Sequence, residues 1–331
     1  MGGPGLAEAE YILPLKWNDG GDLASLCRYL EDLSRWIAVL VVDGSPPGLF
    51  AQHAKAFPAA VRHSRPLPLG CTNGKVEGVL TGVQLSRCEY LVIADDDVRY
   101  TRDSLERAVG LLAEADIVRP QNYFLDPRPW HARWDTARTL INRAFGSDYP
   151  GTLAIRRSTL QAAGGYSGDV LFENLELLRT IRAAGGREIR ADDLFVPRTC
   201  CSVRHFLGQR VRQAYDDFAQ PGRLAVEAAL LPLALRLRRE PARLAMLAAA
   251  SVMAAELGRR RAGGVRVFSA DAALWAPLWV AERAVSVWLA AAGRRPLRGE
   301  AALDGRALPA PAPKEQVTSS SQLYFHCRVT L

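Results

Sequence analysis

The sequence predicts an α/β fold, a mostly parallel sheet with helices on both faces, followed by a helical C-terminal region. Short apolar runs alternate with amphipathic stretches through the first part of the chain. Acidic residues stand where two of these runs end, at Asp43 and at Asp95-Asp96-Asp97. Past Asp216 the texture changes to Ala/Leu-rich runs bordered by arginines.

Taken in order, Tyr11–Leu15 reads as a strand and Leu23–Leu33 as a helix whose apolar residues recur at helical spacing. Trp36–Val42 is a second strand, ended by Asp43-Gly44-Ser45 and the turn formers Pro46-Pro47. Val76–Leu85 is helical, Tyr90–Ala94 is a buried strand, and Ser104–Ala115 is the helix after it. Asp116–Asn122 and Gly151–Arg156 read as strands, with an aromatic and basic segment, Pro129 to Trp134, between them. Leu175–Ala184 is a helix closed by Gly185-Gly186. The β-α-β-α order argues for parallel pairing. In such sheets ligands sit beyond the carboxyl ends of the strands, where both acidic positions fall.

At 331 residues the chain can bury a large core and carry an appendage. Its 49% hydrophobic and 23% charged residues are those of a globular protein and argue against disorder. The formal charge of +7 favours an anionic partner, whether a phospholipid surface, a nucleotide diphosphate or nucleic acid. The last is disfavoured, because neither a recognised module nor a lysine-rich stripe occurs. The six cysteines form no CxxC pair, so reduced thiols are expected. Met1 to Tyr11 has neither a basic nor an apolar signal segment, and the first domain is expected to stay in the cytoplasm.

Leu91-Val92-Ile93-Ala94 delivers three aspartates at a strand end. Alternate side chains of an extended segment point the same way, so Asp95 and Asp97 are expected to share one ligand. Two hard carboxylates suit Mg2+ or Mn2+ bridged to a nucleotide diphosphate, whose leaving charge the cation would neutralise. The bland alternative is a solvated acidic turn, which leaves three like charges to repel one another.

The run resembles the DxD motif of glycosyltransferase family 2, the inverting nucleotide-sugar enzymes of GT-A fold, and other segments follow in that family's order. Leu13-Pro14-Leu15 looks like its first strand, and Val41-Val42-Asp43-Gly44-Ser45 resembles the segment whose aspartate contacts the donor's base or ribose. Asn73-Gly74-Lys75 resembles the NxGK-type segment before the DxD strand, and Gly151–Arg156 the acceptor-side strand. Phe172-Glu173-Asn174-Leu175-Glu176-Leu177 looks like the region carrying the catalytic base, and Gln209-Arg210-Val211-Arg212 like the start of QxxRW. The resemblance spans about Tyr11 to Arg212, and the order of its motifs makes it specific. It implies a hexosyltransferase-like enzyme with a nucleotide-diphosphate sugar as donor. Asp43, Lys75, Asp95, Asp96, Gln209 and Arg212 would contact that donor, with the metal on Asp95 and Asp97.

The chain departs from the family at two places. Asn174 stands where the family has its basic aspartate, and an amide takes no proton at neutral pH. Glu173 and Glu176 remain, three residues apart on one helical face, and Glu173 is the preferred base. Gln213 replaces the tryptophan of QxxRW, which argues against a polysaccharide synthase. His131 is flanked by Trp130, Arg133 and Trp134, residue types that line sugar or phosphate sites but also build cores. These four and Arg156 are candidate acceptor or phosphate contacts.

Leu224–Leu237, Leu244–Ala255 and Ala272–Ala292 are strongly apolar, but Glu227, Arg236 and Glu282-Arg283 interrupt them. Arg236, Arg238 and Arg239, Arg259 to Arg261, Arg294-Arg295, and Trp275, Trp279 and Trp288 suit an anionic membrane interface. With the family resemblance, this places the chain at the cytoplasmic side of the cell membrane and suggests a lipid-linked acceptor. The expected organisation is an N-terminal extension over 1–10, a catalytic domain over 11–222, a membrane-associated helical region over 223–300 and a flexible tail over 301–331. Two other functions compete. Asp95–Val98 also fits the DxDx(T/V) start of a haloacid-dehalogenase-like phosphatase, although no lysine lies between Asp97 and the acidic pair Asp192-Asp193. A nucleotide-sugar-binding scaffold that lost its base at Asn174 is the other.

Overall fold

A computed structural model describes residues 3–292 apart from Gly20 and Ser147; the expected tail over 301–331 and the last part of the expected helical region, 293–300 with Arg294 and Arg295, lie outside the described residues. One sheet is built from β1 (Ala9–Leu15), β2 (Ala38–Asp43), β3 (Arg62–Ser64), β4 (Tyr90–Ala94), β5 (Ile117–Phe124), β6 (Thr152–Arg156) and β7 (Glu188–Arg198). The first helices are α1 (Leu23–Leu33), α2 (Pro47–Ala56), α3 (Gly74–Leu85) and α4 (Arg102–Gly110). Then come α5 (Trp130–Phe145), α6 (Arg157–Ala162), α7 (Glu173–Ala183) and α8 (Val203–Asp216). The chain continues with α9 (Pro221–Leu237), α10 (Pro241–Arg260) and α11 (Ala276–Ala292).

The strand order is β3-β2-β1-β4-β6-β5-β7. β6 runs antiparallel to β4 and β5, while the other neighbours pair in parallel. This is the mostly parallel GT-A sheet expected from the sequence. Its one reversed strand matters for the site. Ala94 pairs with Thr152, so the start of β6 arrives beside the end of β4.

The central strands β1, β4 and β6 are buried on both faces, as a helix-covered sheet requires. Tyr11, Leu13 and Leu15 of β1 pack with Leu26, Leu30 and Leu33 of α1 and Leu105 of α4. Ile12 points the other way, into a layer with Val76, Val79 and Val83 of α3 and Leu177, Leu178 and Ile181 of α7. Each such side chain contributes on the order of 2 kcal/mol by leaving water. A Cβ on Gly82 would stand 2.5 Å from Ile12 Cγ2, so only glycine lets α3 lie this close to β1. α3 begins where Asn73 accepts the backbone N–H of Lys75 at 2.9 Å, and this cap fixes Lys75 in the first turn at the sheet's carboxyl edge.

The three C-terminal helices pack onto the rest of the protein. A third core joins Ala137 and Leu140 of α5 to Ala255 of α10 and to Phe268 and Ala276. Arg143 of α5 is 1% exposed and donates to Gln121 Oε1 at 2.8 Å and to the Gly258 carbonyl at 3.1 Å. Arg283 of α11 pairs with Asp217 at 3.0 Å. Among the described residues no helix is long and apolar enough to cross a membrane.

Several elements differ from expectation, three of them instructively. Trp130 to Trp134 form the first turns of α5, where Pro129 stands before the helix. Pro47 opens α2, a position that suits its missing N–H, and does not close a turn. β7 was not foreseen because Arg190, Asp192 and Asp193 break its apolar alternation.

Candidate active site

A cleft of about 400 Å³ opens at the carboxyl edge of the sheet. Pro14 and Leu15 of β1, Lys75 of α3, the three aspartates after β4, and Arg198 of β7 line it. Pro150 and Gly151 before β6, Phe172 to Asn174 at the start of α7, and Gln209, Arg212 and Asp216 of α8 complete the wall. Gly151 lies against the aspartates: its N–H donates to Asn122 Oδ1 at 2.7 Å, and a Cβ there would lie 2.6 Å from an Asp95 oxygen and displace that carboxylate.

The aspartates leave the strand in a turn, with Val98 N–H donating to the Asp95 carbonyl at 3.1 Å. The extended geometry expected of them is therefore corrected, yet all three line the cleft. Asp95 Oδ1 pairs with Lys75 Nζ at 2.5 Å. Asp96 accepts Trp17 Nε1–H at 2.5 Å. Asp97 Oδ2 pairs with Arg198, whose Nε donates at 3.0 Å, while the buried Asp97 Oδ1 has no hydrogen-bond partner. Burial pushes the Asp95 carboxyl up, Lys75 pulls it back, and the charge of Asp97 adds to the rise. On Lys75 burial works against the ammonium, but Asp95 and Glu173 outweigh it and hold it well above its usual value.

Glu173 lies in the cleft, 6% exposed, as a cleft-facing base would. Both of its oxygens are taken: Oε1 by Lys75 at 2.7 Å and Oε2 by Arg212 at 2.9 Å. Burial alone would raise this carboxyl, yet Lys75 and Arg212 hold it below the ordinary value. The geometry makes Glu173 an anchor for two cations, both of its oxygens being engaged in this structure. Asn174 Nδ2 donates to the Pro150 carbonyl at 2.9 Å. An aspartate would present an acceptor to that carbonyl, which accounts for the amide in the family's acidic position.

Several expected contacts lie elsewhere. Asp43 is fully buried outside the cleft: its Oδ2 meets His53 Nδ1 at 2.7 Å and His63 Nε2 at 3.1 Å, and its Oδ1 accepts Ser45 N–H at 2.8 Å. Burial would raise its carboxyl, but these bonds hold it well below the usual range. Glu176 is not among the residues that line the cleft. Arg156 stands opposite Tyr90 at the other end of β4, because β6 is reversed, and its guanidinium donates to the Ala115 carbonyl at 3.0 Å. Arg133 pairs with Asp271 at 2.8 Å. His131 Nε2 meets the Cys201 carbonyl at 2.9 Å, and Trp130 and Trp134 line a separate apolar groove with Phe206.

The cleft also holds residues that sequence reasoning missed. Asp135 and Arg138 of α5 face it, three residues apart on one helical face, and pair at 2.9 Å. Their helical spacing was the available signal. Asp216, at the end of α8, had none.

A mostly parallel sheet with one reversed strand, and an aspartate-rich strand end over a cleft of paired lysine and arginine, define a glycosyltransferase of the GT-A type. Residues 23–168 match the sequence model of the family described as Glycosyl transferase family 2. No curated protein matches the chain. Among solved structures it is similar to the mannosyltransferase PcManGT from Pyrobaculum calidifontis, in complex with GDP-Man and Mn2+. That likeness has 19% identity and a TM-score of 0.48, over 85% of this chain and 87% of that one. Glucosyl-3-phosphoglycerate synthase from Mycobacterium tuberculosis, in complex with Mn2+, UDP and phosphoglyceric acid, is 16% identical at a TM-score of 0.42, covering 62% of this chain and 76% of its own. TarS 1-349 from S. aureus, in complex with UDP-GlcNAc, is 14% identical at 0.42, covering 60% of each.

Proposed function

We propose that this glycosyltransferase moves a sugar from a nucleotide-diphosphate donor to an acceptor hydroxyl in a single inverting displacement. The observation that carries the reading is the state of Asp97, which keeps one buried oxygen unpartnered at the wall of a cleft rich in cations. That oxygen, with Asp95, fits a hard divalent cation such as Mg2+ or Mn2+, which is satisfied by a few carboxylates with diphosphate and water oxygens. When bound, the cation supplies positive charge to the leaving diphosphate. Lys75, Gln209 and Arg212 are placed to bind the diphosphate, the guanidinium as a fork of donors. Asp96 is steadied by Trp17 at the same wall. The family match argues against the phosphatase alternative.

A thermal-shift panel of nucleotide sugars, with and without Mn2+ or Mg2+, tests this. A donor that binds only the native state raises the melting temperature by mass action. The expected result is one preferred nucleotide sugar whose shift grows with the cation. Equal, negligible shifts across the panel would contradict the reading.

The helical region is proposed to rest on an anionic membrane surface at the cytoplasmic face, where a lipid-linked acceptor would be within reach. The supporting observation is a set of exposed apolar side chains, Leu233 and Leu235 of α9 and Met246, Met253 and Leu257 of α10, with Arg236, Arg238 and Arg239 exposed where α9 ends. The intact protein should sediment with phosphatidylglycerol vesicles at low salt. Because exposed charges are screened, added salt should release a large share, and Arg236→Gln with Arg238→Gln and Arg239→Gln should do the same without salt. Full recovery in the supernatant at low salt would overturn the membrane seat.

A further inference from the structure

We propose that Asp216, the last residue of α8, is the general base that takes the proton from the acceptor hydroxyl. The assignment rests on reading the cleft as the seat of sugar transfer and supplies the group that Asn174 cannot be. A base must be a carboxylate at the cleft wall with a lone pair to spare. The other carboxylates there are engaged. Asp95 is held by Lys75, and Glu173 by Lys75 and Arg212. Asp217 is held by Arg223 and Arg283, each at 3.0 Å. Asp135 lies between Arg138 and Arg210. Asp97 keeps one oxygen, which the cation claims in the reading above.

Asp216 differs from all of these. It lines the same cleft, and its Oδ1 is buried without a hydrogen-bond partner. Nor does it form an ion pair among the described residues. Its place in the fold gives no stabilising reason for a carboxylate, since the carboxyl end of a helix carries partial negative charge. Structure alone would favour an amide or an apolar residue at this position. The groups that act on it are Arg212 of its own helix, Glu173 of α7, Asp217 beyond it and Arg138 of α5. Burial dominates and raises the carboxyl; Arg212 opposes this, Glu173 and Asp217 add to it, and the result is a carboxyl pushed up to about 7. Such a group exchanges its proton near neutrality, where general bases work best.

In the transfer step the acceptor oxygen bonds to the anomeric carbon as the bond from that carbon to the diphosphate oxygen breaks. The electron pair leaves on the nucleoside diphosphate, and the hydroxyl proton passes to Asp216 Oδ1. Deprotonation by solvent then restores the carboxylate.

The test measures nucleoside diphosphate release from the donor that the thermal-shift panel selects, with water as acceptor, over pH 5 to pH 9. In the wild type, kcat should rise about tenfold per pH unit at the acid end and level off above about 7. Asp216→Asn should lower kcat by about a hundredfold and abolish that limb, with donor affinity by calorimetry unchanged within about twofold. Asp216→Glu should recover part of the rate and keep a limb. A folding check comes from linkage. A carboxyl whose folded value is raised binds its proton more tightly in the native state, so its ionisation lowers stability as pH climbs from about 4 to about 7. Asp216→Asn should therefore melt at or above the wild-type temperature at pH 8. The proposal is overturned if Asp216→Asn keeps the wild-type rate and limb, or if it loses donor binding. A wild type that binds no nucleotide sugar would instead strike the underlying reading, and this assignment with it.

Discussion

Asp97→Ala should abolish the metal-dependent part of donor binding and lower transfer by about a thousandfold, roughly 4 kcal/mol of transition-state stabilisation. The expectation follows from how the three aspartates are held. Asp96 is spoken for by Trp17, and Asp95 is drawn to Lys75, so only Asp97 keeps a buried oxygen with no partner. Removing it takes away a proposed cation ligand and also leaves Arg198 without its ion pair at the cleft wall. The comparison that isolates the effect is Asp43→Asn. Asp43 is saturated by His53, His63 and Ser45 outside the cleft. Its loss should reduce stability, while cation dependence of the remaining donor binding persists. Paired calorimetric titrations of the two variants, with and without Mn2+, check this. An Asp97→Ala protein with full Mn2+-dependent turnover would show that the aspartates do not hold the cation.

The second large effect is structural. Gly258→Val should destabilise the fold by about 3 kcal/mol or more, since forced overpacking against backbone cannot be relieved by a rotamer change. A Cβ at Gly258 would stand 1.8 Å from the Leu140 carbonyl oxygen and 3.0 Å from the Ala144 nitrogen, where α10 crosses α5. The same contact lets the Gly258 carbonyl accept Arg143 Nε–H, so pushing the helices apart also strands a buried guanidinium. α5 carries Asp135 and Arg138 into the cleft, and donor binding should weaken along with stability. The melting temperature should fall by roughly 6–12 °C. An unchanged melting curve would mean that α5 and α10 are not packed this closely.

Much of the architecture was legible because burial imposes a period. The inward leucines of α1 recur at Leu26, Leu30 and Leu33, and β4 is an unbroken apolar run delivering its aspartates at a strand end. What the period does not carry is where a polar side chain finds its partner. Strand-end position placed Asp43 at the right edge of the sheet, but its partners come from α2 and β3, and no spacing in the chain announces that they will bury it. Arg156 lies at the far edge because β6 is reversed, and no spacing in the chain announces that reversal. Glu173 was found as a cleft residue, but its ion pairs were not, since Lys75 and Arg212 are remote from it in sequence. Asp216 and Asp217 are adjacent and alike in sequence, and only the tertiary placement of Arg223 and Arg283 pairs one and leaves the other bare.

The cleft at Asp95 to Asp97 is proposed to bind a nucleotide-diphosphate sugar through a divalent cation. Calorimetric titration of the selected donor into the wild-type protein, once in Mn2+ and once in chelator, decides this. Saturable one-to-one binding is expected in Mn2+, weakening at least about tenfold in chelator, about 1.4 kcal/mol. Binding of equal strength in both solutions, or none in either, would contradict it.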